Sequence, residues 1–206
     1  MGTRNLTCVV KDGEYKLAKY GQWDGHRESL GAEILTFLRD EFDREKFLKG
    51  LSKVKLITTE KLQQFWTEVG ADPKSNFCSM EVSEKFKQAH PELSRDPSGA
   101  VVLRMIQAGT CEWSRPGIEF AADSLFCEWA YVIDLDKNTF EIYEGFNKTP
   151  LDSSERFANV PLPPLQAGEN REYYQVRLLR SYSLRRLPTV KVMCRARKVN
   201  KQPVAA

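Results

Sequence analysis

Asp12-Gly13 stands between two strand-like runs, residues 4–10 and 14–20, and this arrangement constrains the fold more than any other short stretch. Gly takes positive φ without steric cost and Asp tolerates it, so an Asp-Gly pair in that setting specifies a tight hairpin. The sheet therefore starts at the beginning of the chain. A second pair of β-rich runs, LFCEWAYVIDLDKNTFEIYEGF (125–146), surrounds Asp136-Lys137-Asn138 and predicts a second hairpin. Period two places Cys127, Trp129, Tyr131 and Ile133 on one face, with Glu128, Ala130, Val132 and Asp134 on the other.

Between the hairpins the pattern is helical. Ser29 is positioned to cap a helix carrying Ile34, Leu35, Leu38, Phe42, Phe47 and Leu48 and ending near Gly50. Thr58 or Thr59 caps a second through Val69, which Gly70 ends. Residues 71–80 read as loop. Ser83 opens a short helix that Pro91 stops, and Ser98 opens another through Ile106 that Gly109 terminates. The Pro- and Gly-containing run PLPPLQAGEN links to a last strand expected over 173–183. Two hairpins, helices and a final strand predict a single α+β domain over 1–206, with an antiparallel sheet packed by several helices.

The hydrophobic content of 41% and charged content of 29% suit a folded chain rather than a disordered one. No apolar run approaches the ~20 residues that span a bilayer, and no signal pattern opens the sequence, so the expectation is a cytoplasmic protein with no membrane partner. The five cysteines are scattered without knuckle or redox spacing and read as reduced thiols. The net charge of +3 conceals a split. Residues 171–201 hold ten basic side chains against Glu172, leaving residues 1–170 at −6. This basic segment suits a polyanion or acidic surface, or else a solvated edge protected by charge.

Phosphate-cradling glycine loops and a G-x-S-x-G elbow are absent, and the two histidines, His26 and His90, lie near no cysteine pair, so no metal is expected. What stands out is the loop YGQWDGHRESLG (20–31), which needs only Gly and Asp to turn yet also carries Gln22, Trp23, His26 and Arg27. Trp23 plugs the core or lines a ligand site. Asp24 and Glu128, the latter expected inside an apolar strand, are candidate carboxylates for binding a cation or acting as base.

The runs MGTRNLTCVVKDGEYKLAKYGQWDG and EWAYVIDLDKNTFEIYEG resemble a family of short proteins from fungi and phages. Those relatives commonly carry DGYP where this chain has Asp24-Gly25-His26-Arg27, so the family pattern retains Asp24 but not His26. In size, character and opening the chain is also similar to fungal arginine-containing cyclodipeptide synthases, which take amino acids from charged tRNAs. That resemblance implies arginyl-tRNA and a second aminoacyl-tRNA as partners, and an activated ester that makes any cofactor unnecessary. It implies an acidic arginine pocket, for which Asp24 and Glu128 are the candidates, with Gln22 and Trp23 as substrate-binding neighbours. It also implies tRNA phosphates held by Arg177, Arg180, Arg185, Arg186, Lys191, Arg195, Arg197 and Lys198. Cys8, Ser124 and Cys127 remain open as nucleophiles, each also readable as a packed residue.

Three functions of different class follow. The first is a tRNA-dependent synthase making an arginine-containing cyclic dipeptide. The second is an N-terminal-nucleophile amide hydrolase or transferase, which would require processing to expose Thr3 or Cys8. The third is a non-catalytic module binding RNA or an acidic partner.

Overall fold

The computed structural model describes residues 2–75, 77–165, 168 and 170–195. In chain order they form β1 (Asn5–Lys11), β2 (Glu14–Gly21), α1 (Ala32–Thr36), α2 (Arg44–Leu51), β3 (Lys55–Leu56), α3 (Thr59–Glu68), α4 (Met80–Ala89), α5 (Gly99–Ala108), β4 (Trp113–Ser114), β5 (Trp129–Asp134), β6 (Thr139–Glu144), β7 (Arg177–Ser183) and α6 (Val190–Arg195). The fold is α+β, with one five-stranded sheet in the order β2-β1-β5-β6-β7.

Both hairpins form where their turn chemistry places them. Lys11 pairs with Glu14 across Asp12 (φ +57°) and Gly13 (φ +74°), the two left-handed residues that a two-residue reversal requires. In the second hairpin the Asp134 carboxylate accepts from the backbone N–H of Asp136 (3.0 Å) and Lys137 (2.7 Å), which holds the turn.

The expectation of an antiparallel sheet needs correction at its centre. β1 and β5 run parallel, from Asn5 opposite Trp129 to Val10 opposite Asp134. Each hairpin contributes its first strand to the junction, and the helical stretch between β2 and β5 supplies the long crossover that a parallel neighbour needs. A further short parallel pair, β3 with β4, had no sequence signal.

The long helix expected over 29–50 is instead broken. Wide π-helical turns at Arg27–Gly31 and Phe37–Glu41 flank α1, and the chain is extended at Phe42 (ψ 114°) before Asp43 caps α2 by accepting from Lys46 N–H at 3.1 Å. Gln107 satisfies the backbone freed by the break: its amide accepts from Asp43 N–H at 2.7 Å and donates to the Glu41 carbonyl at 2.9 Å. The break turns Phe42 inward against Phe37 and Phe47 (ring centroids 5.8 and 5.2 Å). Ser29, expected as the cap, lies inside the first wide turn. Helix α4 begins at Met80 under the Ser79 hydroxyl rather than at Ser83, while α3 and α5 start under Thr58 and Ser98 as expected. At Gly50 a Cβ would lie 1.7 Å from the Ile106 carbonyl oxygen, so glycine lets α2 and α5 touch.

The sheet has a core on each face. Val9, Leu17, Tyr131, Ile133, Phe140 and Ile142 meet the helices, whereas Leu6, Cys8, Val10, Ala130, Val132 and Tyr143 pack under the connecting segments after β4 and β6. The alternation expected in β5 holds from Trp129 onward. Cys127 belongs to the other core, because the strand starts only at Trp129 and residues 123–127 form a turn closed by Cys127 N–H to the Asp123 carbonyl at 2.7 Å. On that second face Arg156 joins Asp134 (2.5 Å) and Glu141 (2.7 Å) in a buried ion cluster, which Tyr143 completes by donating to Glu141 at 2.6 Å. Against the burial that raises it, Arg156 holds the Glu141 carboxyl below its usual range. No helix among the described residues is long and apolar enough to cross a membrane.

Candidate functional site

The opening loop is pinned around the N-terminal segment. Gly25 N–H donates to the Thr3 carbonyl (3.0 Å), Asn5 donates through its side chain to the Trp23 carbonyl (3.0 Å), and the Tyr20 hydroxyl donates to Gln22 (2.5 Å). Asp24 is an exposed turn residue at φ +53° whose carbonyl takes Leu30 N–H and the Ser29 hydroxyl. Trp23 is 53% exposed and rests on Gly2, while Arg27 stacks over the Trp129 ring at 5.3 Å. His26 Nε2 lies 2.8 Å from the Thr3 hydroxyl.

Glu128 immediately precedes β5 rather than lying within it, and its carboxylate accepts from Arg4 N–H at 3.3 Å. The loop approaches residues 3–5 from the β2 side and Glu128 from the β5 side. Asp24 and Glu128 thus flank the N-terminal segment from opposite sides. Neither lines the cleft that opens at the β2 edge.

A concavity lies at the β2 edge. A cleft of about 650 Å³ opens between β2, residues 92–96 and residues 114–117, with Trp66 and Phe86 supplied by α3 and α4. Its size falls in the range of ~300–1,000 Å³ usual for small-molecule sites. Lys19 and Glu92 line it and are only 6% and 8% exposed. The Lys19 ammonium donates to the Ser94 carbonyl, and burial, aided by the Arg115 charge, pulls its pKa down to about 8. Glu92 moves the opposite way, since burial raises its carboxyl above the usual range against hydrogen bonds from its own N–H and that of Trp113. A buried amine shifted down and a buried acid shifted up in one cleft make the environment of proton-transfer groups. Asp96 and Arg95 stand exposed at the mouth.

Sequence reasoning passed over Lys19, Glu92 and Arg115. The available signal was phase: Lys19 shares the face of Leu17, which is buried, and a lysine on an apolar face asks for an explanation. No local pattern marks Glu92 or Arg115.

The open nucleophile candidates sit in the core. Cys8, Ser124 and Cys127 are fully buried; burial pushes the Cys8 thiol up to about 12 and the Cys127 thiol well above its usual range. The Ser124 hydroxyl accepts from Asn147 N–H at 3.0 Å, a structural bond.

In the basic segment, Arg177 is committed to the preceding loop, donating to the Pro150 carbonyl at 2.6 Å and to Thr149. Arg180 is half-buried in edge strand β7, whereas Arg185, Arg186, Lys191 and Arg195 are exposed. Arg197 and Lys198 lie outside the described residues. β7 and the cleft-bearing β2 occupy opposite edges of the sheet, four strand spacings or about 19 Å apart.

Among the described residues no group of three His, Cys, Asp or Glu side chains is placed to hold a metal ion. Comparison with protein-family models, with curated proteins and with solved structures gives no match.

Proposed function

We propose that the chain is an aminoacyltransferase that takes arginine and a second amino acid from charged tRNAs and joins them into a cyclic dipeptide. The resemblance in size, character and opening to arginine-containing cyclodipeptide synthases motivates the reading, and one observation carries it: Lys19 and Glu92, both buried and shifted in opposite senses, line one cleft. In this reading Glu92 accepts a proton from the α-ammonium of one aminoacyl ester, and the freed amine attacks the carbonyl of the other. The ribose oxygen departs with a proton from Lys19. A second, intramolecular attack closes the ring. Two ester bonds break, two amide bonds form and two tRNAs leave, with the ester activation driving both steps.

An arginine side chain in the cleft would meet Trp66 and the Asp96 carboxylate, a stacking surface and a counter-charge. The exposed Arg185, Arg186, Lys191 and Arg195 would hold phosphates at the far edge. Incubation with arginyl-tRNA and mixed aminoacyl-tRNAs, followed by mass spectrometry, tests the reading: an arginine-containing diketopiperazine is expected from the parent and not from Glu92→Gln.

A second reading rests on the 2.8 Å contact of Thr3 with His26, which would place a base beside an N-terminal nucleophile if Met1 and Gly2 were removed. Intact-protein mass decides it. A chain beginning at Thr3 favours this reading and one beginning at Met1 or Gly2 excludes it.

A further inference from the structure

Arg115 lines the cleft beside Lys19, and among the described residues its enclosed Nε–H meets no hydrogen-bond acceptor. The backbone brings the two cations together, because Ala18 N–H donates to the Ser114 hydroxyl at 3.4 Å, setting the residue before Lys19 against the residue before Arg115. Neither acid of the cleft accepts from the Arg115 Nε–H. Asp96 lies 3.6 Å from Lys87 and 3.9 Å from Arg95, and Glu92 takes hydrogen bonds from its own N–H and that of Trp113. Lys19 itself donates to an uncharged carbonyl. Two neighbouring cations thus face the cleft, and one enclosed donor, the Arg115 Nε–H, meets no acceptor among the described residues. An enclosed N–H of a guanidinium left without an acceptor is unfavourable, and the planar fork of donors it belongs to matches the oxygens of carboxylate and phosphate.

We propose that the Arg115 and Lys19 end of this cleft is a binding site for the anionic oxygens of a phosphate or a carboxylate, with Arg115 as the anchor. The site stands apart from the tRNA reading, since it needs only the cleft and the unpartnered Nε–H of Arg115. Bound anion gives the Arg115 Nε–H the acceptor it lacks and favours the protonated form of Lys19.

The test is a titration of the full chain at pH 6.5 and constant ionic strength, with inorganic phosphate in one arm and acetate in the other. The readouts are the arginine Nε–H resonances and the melting temperature. A saturable shift of one Nε–H signal, the one missing from Arg115→Gln, is expected, with a rise in Tm of roughly 5 to 10 °C at a ligand concentration near 100 times Kd. Saturation by phosphate alone supports a phosphate ligand, and saturation by acetate alone a carboxylate. Without anion, Arg115→Gln should melt at or above the parent, because it removes an enclosed N–H that has no acceptor. If neither anion gives a saturable shift in the parent, or Arg115→Gln binds as tightly as the parent, the site is overturned. Should Arg115→Gln fail to fold, the parent titration still decides, and Arg115→Lys should then weaken binding about tenfold by losing the fork.

Discussion

Tyr131 donates its hydroxyl to the Gly25 carbonyl at 2.7 Å, tying the middle of the central strand to a loop 106 residues away. Burial raises the phenol well above its usual range, so it stays a donor at any ordinary pH. This bond, together with those around Thr3 and Asn5, gives the loop's crowded chemistry a largely structural use. Tyr131→Phe leaves the Gly25 carbonyl unpaired and should cost ~1 to 3 kcal/mol in denaturant unfolding. An unchanged stability would mean that the loop is held by its other contacts alone.

Lys19 links stability to pH. Its native pKa of about 8 lies below the ordinary 10.5. Between those values the unfolded chain binds more protons at this site, so its contribution makes stability rise with pH, by roughly 3 kcal/mol across the window. Cys8 and Cys111, raised from 9.0 to about 12, act in the opposite sense above pH 9. The difference between parent and Lys19→Met isolates the lysine. The variant should gain most, relative to the parent, below pH 8 and lose that gain toward pH 10.5. A difference flat in pH would mean that Lys19 titrates normally.

The exposed part of the basic segment should supply polyanion affinity. Changing Arg185, Arg186, Lys191 and Arg195 together to Gln should weaken tRNA binding and reduce its log-log salt slope by about 0.7 to 0.9 per lost phosphate contact. Arg177→Gln should instead lower stability and leave the slope unchanged, since that side chain holds residues 149–155. An unaltered slope in the fourfold variant would leave these charges as a solubility feature of an edge.

Local chemistry made the hairpins, the caps at Thr58 and Ser98 and the stop at Gly109 legible, because each is decided within a few residues. The parallel joint between β1 and β5 was not legible, since it depends on which hairpin strand meets which across the whole helical region. The helix break at Phe42 was hidden for a related reason: it needs Gln107 from a distant helix to satisfy the opened backbone. The cleft shares that character. Lys19, Glu92 and Arg115 come from three separate segments, and their shifts arise from burial that no short stretch displays. Asp24 drew attention as a charged loop residue, and its left-handed φ is what that position demands.

The most direct test of the cleft as the site of aminoacyl transfer is the rate of arginine-containing cyclic dipeptide formation from charged tRNAs, measured side by side for the parent, Glu92→Gln and Asp24→Asn, with each variant's melt recorded. Glu92→Gln should slow product formation by about 10²- to 10⁴-fold while remaining folded, the range expected for loss of a positioned acid or base. Asp24→Asn should keep a rate within a few-fold of the parent. Product formed at the parental rate by folded Glu92→Gln, or a loss confined to Asp24→Asn, would contradict the account and return the chemistry to the opening loop.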